Sequence, residues 1–282
     1  MIEKSEILKL AKQYGVLANI IEKDYILGWL LAGIYKHPKL AKSWIFKGGT
    51  CLKKCYFRDY RFSEDLDFTW QRHDQTDKEQ LEAYLIEVVD WVYETCGVIM
   101  PKDTIKIEKY KTPRNHDSIQ IRVGYKGPLQ RQGDYARVKV DVTCEEIVVV
   151  KPKKLIVFHD YSDRPKNSIS ALSYCKEEIF AEKMRALIDR KRPRDLYDVV
   201  YFYAHQNSAL NSAEVKSIFS QKCVFKKIAI PATPEVRKIF SSANRSEIEK
   251  EWHSMSGHQL SELPDFDEYW NKLPTILKNF LD

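Results

Sequence analysis

The chain has 282 residues, of which 44% are hydrophobic and 30% are charged, a balance typical of a globular protein with a core of ordinary size. Lysine and arginine total 46 against 40 acidic residues, so the charge suits a polyanionic partner without requiring one. At this length we expect one large domain or two modest ones.

The sequence offers no sign of export or of a membrane segment. The longest apolar stretch, residues 25–35, is about half of the ~20 residues that a spanning helix needs. The first residues run directly into a helical pattern, so no signal peptide is expected. The cysteines are scattered without zinc-like spacing, and we expect reduced thiols in a cytoplasmic protein (Cys51, Cys55, Cys96, Cys144, Cys175, Cys223).

Hydrophobic periodicity predicts mixed α/β structure in the first half of the chain. Helices are expected at 5–14, 19–34, 50–57 and 78–96. Asn19 is predicted to cap the second helix, with Glu22 at the capping-box position. Strands are expected at 44–47, 66–70, 104–110, 118–125 and 137–144.

The composition changes in the middle of the chain. Residues 151–166 are rich in proline and polar residues and predict a linker, after which the sequence is typical of helices throughout. We therefore expect a mixed α/β domain over residues 1–160 and a helical domain over residues 161–282.

Two predicted strands carry acidic residues on one face. Asp65 and Asp67 share a face while Leu66 and Phe68 point inward, and two strand steps separate the aspartates by about 6.6–6.8 Å. Two carboxylates on one face repel and need a nearby cation, for which Mg²⁺ is suitable. The later strand alternates a buried face with a polar face (Val138, Val140, Val142; Lys139, Asp141, Thr143). Taken alone, this later strand is typical of an ordinary half-solvated sheet.

Gly48 and Gly49 lie between a predicted strand and a predicted helix. Glycines let a phosphate approach the backbone, and a helix N-terminus offers free N–H groups. An ordinary turn is the alternative, and the P-loop pattern is absent. The order of glycine pair, paired aspartates and third strand aspartate is more specific than any of its parts.

Several charged residues of the second half have two interpretations. On a predicted helix, Lys183 has apolar neighbours and lies outside a polar stripe of Glu178, Glu182, Arg185 and Asp189, so it either snorkels to water or binds an anion. Asp195 and Asp198 follow a helix start near Pro193, where acids paired with Arg190 or Arg194 are ordinary. The basic runs either bind RNA or form a solvated face (Lys151, Lys153, Lys154; Arg190, Lys191, Arg192, Arg194).

Together these motifs resemble the AbiEii/AbiGii toxin family of nucleotidyltransferases, bacterial toxins of type IV toxin–antitoxin and phage-defence systems. The matching segments run in the family's order, and the last 80 or so residues match only loosely (22–25, 46–53, 61–68, 139–143, 178–187, 194–198).

The resemblance implies an α+β, polymerase-β-like nucleotidyltransferase fold with a mixed sheet, followed by a helical C-terminal lobe. It implies Mg²⁺, or Mn²⁺, held by Asp65, Asp67 and Asp141, with Lys183 and Asp195 as further catalytic residues from the helical side. The nucleoside triphosphate would contact residues of the first domain (Gly48, Gly49, Thr50, Lys53, Ser63, Lys139). The implied partners are a triphosphate, an RNA acceptor such as the 3′ end of a tRNA, and a cognate antitoxin.

Two other functions are weighed against this one. A metal-dependent RNA nuclease would keep the aspartates but has no need of the Gly48-Gly49 turn. A non-catalytic nucleotide-binding protein acting through partner contacts would not need all three aspartates. The sequence therefore favours nucleotidyl transfer.

Overall fold

The structure, a computed structural model, describes residues 1–71, 77–165, 167–206, 209–229 and 242–281. Position 166, at the end of the predicted linker, lies outside the described residues. The chain divides into two compact units. The first comprises Met1–Glu146 and Pro152–Tyr174, and the second comprises Ile147–Lys151 and Cys175–Asp282.

The first unit contains a sheet and the helices that cover it. Its helices are α1 (Lys4–Tyr14), α2 (Ala18–Lys36), α3 (Leu40–Ser43), α4 (Gly48–Cys51) and α5 (Lys78–Cys96). A π-helical turn, Leu52–Tyr56, continues α4, and a 3-10 turn covers Lys102–Thr104. Its strands are β1 (Trp44–Lys47), β2 (Asp65–Trp70), β3 (Lys106–Lys111), β4 (Asp117–Tyr125), β5 (Ala136–Thr143), β6 (Lys153–Ile156) and β7 (Ser170–Ser173).

The strands form one seven-stranded sheet in the order β3-β4-β5-β2-β1-β7-β6. The pairs β2–β5 and β1–β7 are parallel, and the other neighbours are antiparallel. The mixed sheet agrees with the α+β class expected from the sequence.

Helix α2 is buried along most of its length, and its interior side chains Tyr25, Leu27 and Leu30 are fully enclosed. It packs closely on α5 because Gly33 has no Cβ: one placed there would lie 3.0 Å from methyl carbons of Val88 and Val92. The helix is therefore held by burial of apolar surface rather than by a capped end.

Three local predictions need correction. Helix α2 begins after Leu17 without a side-chain cap, so Asn19 is not its cap, and Glu22 accepts a hydrogen bond from the Leu129 N–H (2.7 Å) instead of capping. Residues 50–57 form the end of α4 and a π-helical turn rather than a regular helix. Strands β6 and β7 were missed because both are short and β6 is a lysine-bearing, largely exposed edge without alternation.

The second unit is helical in its described parts. It contains α6 (Lys176–Arg190), α7 (Pro193–Gln206), α8 (Ser212–Phe225), α9 (Ser242–Ser256) and α10 (Phe266–Leu281). Aromatic rings fill its core, with Phe180 lying 5.2 Å from Phe202 and 4.9 Å from Phe280 between ring centroids.

A buried ionic cluster crosses this core. Lys222 lies 2.8 Å from Glu178 and 3.2 Å from Glu182, and it donates to the Ile147 carbonyl. Glu178 is fully buried and accepts from backbone N–H groups of residues 149 and 150, so its predicted place on a polar stripe was misleading.

Among the described residues, no helix combines the length and the hydropathy that crossing a membrane would require.

Candidate active site

The parallel pairing of β2 with β5 brings the three predicted aspartates onto one patch of the sheet. Asp67 lies directly across from Asp141, and Asp65 lies across from Lys139. Leu66 and Val140 occupy the opposite face and are fully buried. Because side chains two apart on a strand share a face, the register alone assembles the carboxylate patch.

The Lys139 ammonium lies between two of these carboxylates. It is 2.9 Å from Asp141 and 3.5 Å from Asp65, and all three side chains are partly exposed. Gln120, directly across from Asp141 on β4, donates its amide N–H to the Asp141 carboxylate (3.1 Å), and Arg122 donates to the Gln120 amide oxygen (2.6 Å). Sequence reasoning missed Gln120, although the polar face of β4 in register with β5 was a signal for it.

The charges on this patch are strongly coupled. Burial raises the pKa of Asp65 above its usual value; Lys139 opposes this effect and the charge of Asp141 adds to it. Burial acts to lower the pKa of Lys139, but the hydrogen bond to Asp141 and the charges of Asp65 and Asp67 outweigh it and raise that pKa. The patch therefore favours positive charge.

The glycine turn after β1 lies against the same aspartates. Gly48 has φ +78°, and a Cβ there would lie 2.1 Å from the Asp67 Oδ2 atom, so only glycine fits. A Cβ on Gly49 would lie 3.0 Å from the Ser63 hydroxyl oxygen. The Thr50 hydroxyl donates to the Asp65 carbonyl. Gly48 thus lies against one carboxylate of the patch, Thr50 is tied to the backbone of Asp65, and Ser63 lies against Gly49; the role of these four residues in nucleotide binding stays a prediction.

Lys47 is a further cation at this turn that the sequence did not single out. It lies directly across from Asp67 in the antiparallel β1–β2 pair and is 7% exposed. Its ammonium is 5.8 Å from the centroid of the Tyr174 ring.

Lys53, predicted to bind nucleotide, makes a different set of contacts. Its ammonium donates to the Arg58 carbonyl and lies 4.6 Å from the centroid of the Phe62 ring and 5.6 Å from that of Tyr14. Burial lowers its pKa. Within the described part of the chain its ammonium contacts no carboxylate of the patch, and its nucleotide-binding role remains a prediction.

In the second unit, the predicted functional residues lie in ion pairs. Lys183 is 2.6 Å from the carboxylate of Asp198, which is fully buried. Asp195 is 1% exposed and accepts two hydrogen bonds from Arg190, at 2.6 and 2.7 Å. The pairing of Asp195 with Arg190 is the structural alternative considered from sequence, whereas the partnership of Lys183 and Asp198 was missed.

The donor chemistry of the carboxylate patch fits a hard divalent cation such as Mg²⁺ or Mn²⁺. It offers oxygen ligands from adjacent strands, and the missing Cβ of Gly48 lets the Asp67 carboxylate lie directly against the turn. In the described parts of the chain, no three acidic, histidine or cysteine side chains converge into a complete ligand set. Mg²⁺ usually takes one or two carboxylates and completes its shell with water and substrate phosphates, so a partial set is suitable.

Comparison with known proteins places this geometry in context. No curated protein matches the sequence. Among solved structures, the nucleotidyltransferase toxin MenT4 from Mycobacterium tuberculosis H37Rv superposes with a TM-score of 0.69 at 16% identity, over 100% of this chain and 90% of that one. This likeness concerns the fold. The family model described as "Nucleotidyl transferase AbiEii toxin, Type IV TA system" matches residues 29–272, and the chain therefore belongs to the AbiEii family of toxin nucleotidyltransferases.

Proposed function

We propose that this toxin transfers a nucleoside monophosphate from a nucleoside triphosphate to an RNA acceptor, the 3′ end of a tRNA. The acceptor hydroxyl oxygen forms a bond to the α-phosphorus, the bond to the bridging oxygen breaks, pyrophosphate leaves, and the hydroxyl proton passes to solvent. The observation that supports this most is the register of β2 and β5, which joins Asp65, Asp67 and Asp141 beside the Gly48 turn.

We assign the divalent ion to Asp65, Asp67 and Asp141. When bound, Mg²⁺ or Mn²⁺ would neutralise phosphate charge and make the acceptor hydroxyl more acidic. Lys139, already 2.9 Å from Asp141, compensates the carboxylates between turnovers and supplies positive charge beside the phosphates. Gln120 holds Asp141 in place through its amide.

The glycine turn is assigned to the triphosphate. The backbone N–H groups at the start of α4 would donate to the phosphate oxygens. Ser63 and Thr50 lie at the turn, and the Thr50 hydroxyl ties the turn to the Asp65 backbone. These residues position the α-phosphate, and positioning with charge stabilisation supplies most of the catalysis in phosphoryl chemistry.

In the second unit we retain Lys183 and Asp195 as proposed catalytic residues. Because Lys183 pairs with the buried Asp198, Asp198 is added as the residue that positions the Lys183 ammonium. The cognate antitoxin would act by limiting this activity.

The proposal is tested by incubating the protein with each of the four radiolabelled triphosphates, Mg²⁺ and total RNA. Label transferred to RNA by the wild type, and not by Asp67→Ala, is the expected result. Shortened RNA would point to the nuclease instead, and unmodified RNA with bound triphosphate would point to a binding protein.

Growth provides a second test. Expression without antitoxin should slow the native host, and Asp67→Ala should not. Equal harmlessness of both proteins would contradict the toxin role without contradicting transferase chemistry.

A further inference from the structure

A pocket of about 430 Å³ lies beside the 126–135 loop that joins β4 to β5 in the first unit. Its volume is within the ~300–1,000 Å³ typical of small-molecule sites. We call it the hairpin pocket. Glu22 and the loop with its flanking residues line it, and none of them belongs to the carboxylate patch (Glu22, Tyr125, Lys126, Gly127, Gln130, Arg131, Gln132, Gly133, Asp134, Tyr135, Ala136).

The buried carboxylate of Glu22 faces this pocket with part of its hydrogen-bonding capacity unused. Glu22 is 2% exposed, and its Oε1 atom accepts from the Leu129 N–H at 2.7 Å. Within the described part of the chain, its Oε2 atom has no hydrogen-bond partner. Burial raises the pKa of Glu22, while the Leu129 N–H and the charge of Arg131 act to lower it. The Oε2 atom is therefore an acceptor at the pocket wall that no described protein group uses, and a ligand that donates a hydrogen bond could bind to it.

The loop is built closely around this carboxylate. A Cβ on Gly127 would lie 2.7 Å from the Glu22 Oε1 atom and 2.9 Å from its Cδ atom, so the approach requires glycine. The loop then turns at Gln130, which has φ +49° and donates its N–H to the Gly127 carbonyl. The loop backbone therefore fixes the carboxylate at one wall of the pocket.

The rim of the pocket carries cations and an aromatic ring. Lys126 and Arg131 are exposed, and Tyr135 is 45% exposed. Arginine and lysine bind phosphate, and an exposed tyrosine ring can stack on a nucleobase. The pocket therefore offers an acceptor for a base, cations for a phosphate and a ring for stacking. These are the groups that bind a nucleotide.

The pocket lies along the same strand as the carboxylate patch. Tyr125 pairs with Ala136 where β4 meets β5, and Lys139 follows three residues later. At ~3.3 Å per strand residue, this places Lys139 about 10 Å from Ala136 along β5. Because three residues separate them, Ala136 and Lys139 point to opposite faces of β5, so the hairpin pocket is a site distinct from the patch.

We propose that the hairpin pocket binds one nucleotide by the exocyclic amino group of its base, which donates to Glu22. The base stacks on Tyr135, and Arg131 with Lys126 binds the phosphate. Cytosine, adenine and guanine carry such a donor, whereas uracil has no exocyclic amino group and flanks its ring N3–H with two carbonyl oxygens that a carboxylate repels. The nucleotide is either the triphosphate or an unpaired residue of the acceptor RNA; that assignment rests on the proposed function, but the binding does not.

The first experiment measures binding of CMP, AMP, GMP and UMP to the wild type and to Glu22→Gln by equilibrium dialysis. A hydrogen bond to a charged group contributes ~1.5–3 kcal/mol, so the wild type should bind at least one amino-bearing nucleotide about 10–150-fold more tightly than UMP. In Glu22→Gln the amide oxygen keeps the Leu129 N–H and the NH₂ group faces the pocket, which should move the preference towards UMP. Equal binding of all four by the wild type, or an unchanged ratio in a folded Glu22→Gln, would overturn the proposal.

Exposed variants test the pocket if Glu22→Gln fails to fold. Arg131→Ala and Tyr135→Ala should each weaken CMP, AMP or GMP binding about tenfold with an unchanged thermal midpoint. Lys102→Ala is the matched control, since Lys102 is exposed, pairs with Asp90 and does not line the pocket. This variant should bind the nucleotides as tightly as the wild type does. Full binding by both Arg131→Ala and Tyr135→Ala would contradict the proposal.

A last arm separates the hairpin pocket from the transfer reaction and identifies the source of the nucleotide. Asp67→Ala should keep the base preference while losing transfer. Loss of transfer without loss of base preference would contradict nothing in the pocket proposal. Transfer by a wild type that shows no base preference would contradict the pocket proposal and leave the proposed function intact. If an oligocytidine displaces bound CMP more effectively than CTP does, the pocket is assigned to the acceptor RNA. The reverse order assigns it to the triphosphate.

Discussion

The two units handle carboxylates in opposite ways. In the sheet unit, Asp65, Asp67 and Asp141 are half-buried; Asp65 and Asp141 share one ammonium, that of Lys139, and Asp67 lies directly across from Asp141. In the helical unit, Asp195 and Asp198 are almost fully buried, and each has its own cation within 2.6 Å. Both sets were candidates from sequence, but their surroundings differ in how far the charge is compensated.

This difference predicts a cation-binding role for the carboxylates of the sheet unit and a stabilising role for those of the helical unit. Crowded, accessible carboxylates repel each other, and they are favoured only if a cation or a cationic complex joins them. A buried one-to-one pair already has its charge balanced, and removing one partner typically costs about 3–5 kcal/mol because the other is left uncompensated. Variants of the first set should therefore lose activity while keeping stability, and variants of the second set should lose stability.

Asp67→Ala is expected to have the largest effect on activity. It removes one proposed metal ligand and relieves like-charge repulsion, so transfer should fall by more than ~100-fold while the thermal midpoint stays the same or rises. Asp65→Ala should behave alike, and the double variant should lose little more than either single one. Asp103→Ala, at an exposed acid of the same unit, is the control. Normal transfer by a folded Asp67→Ala would contradict the metal assignment.

Lys183→Met tests the other side of the comparison. If Lys183 binds phosphate, transfer should fall about 10²-fold; in either case the buried Asp198 loses the charge of the Lys183 ammonium and the midpoint should drop. The double variant Lys183→Met with Asp198→Asn removes both charges and should regain stability. If the double variant recovers both stability and transfer, the pair has a structural role only. If it recovers stability but not transfer, the Lys183 ammonium takes part in the reaction.

Gly48→Ala measures how closely the glycine turn fits the carboxylates. The added Cβ meets the Asp67 carboxylate and is strained at φ +78°, so transfer should fall roughly tenfold or more along with stability of about 1 kcal/mol. Gly97 has a similar φ of +77°, but a Cβ there comes no closer than 3.7 Å to its neighbours. Gly97→Ala should therefore share the stability loss and keep full transfer; equal transfer by both variants would separate the turn from the site.

The basic runs should have a smaller and salt-dependent effect. If Lys151, Lys153, Lys154 and residues 190–192 bind RNA phosphates, affinity should fall with salt by ~0.7 log units per contact per log unit of salt. Reversing the charges of the three lysines should flatten that slope without changing triphosphate binding. An unchanged slope would assign these runs to a solvated surface.

How much of this was predictable follows from the range of the interactions involved. Alternation along a strand is a local property, so the sequence alone predicted that Asp65 and Asp67 share a face of β2 and that Asp141 lies on the polar face of β5. Their union depended on strand pairing, which the family resemblance implied but the alternation did not. The contact of Glu22 with the 127–129 loop joins residues that are far apart in the sequence, and the pairing of Lys183 with Asp198 joins two different helices. Neither periodicity nor residue spacing predicts such contacts.

The smallest effect on transfer concerns a buried group that has no compensation of either kind. His159 lies among Tyr25, Trp29 and Tyr161, is 5% exposed, and neither of its ring nitrogens has a hydrogen-bond partner in the described structure. Burial lowers its pKa to about 3, helped by the charge of Lys54 and opposed by that of Asp24. The folded protein therefore keeps the ring neutral through most of the acid range.

This group should make the first unit less stable in mild acid. The unfolded chain protonates His159 below its ordinary pKa of about 6.5, whereas the folded chain does so only near pH 3, so the free energy of unfolding should fall by about 1.4 kcal/mol per pH unit between them. His159→Leu removes the titration and should flatten that slope, whatever its effect on stability at pH 7. His253→Gln, at an exposed histidine, should leave the slope as it is. Urea denaturation from pH 4.5 to pH 7.5 measures all three proteins, and parallel slopes for wild type and His159→Leu would show that the buried ring gains a proton, or a partner, before the chain unfolds.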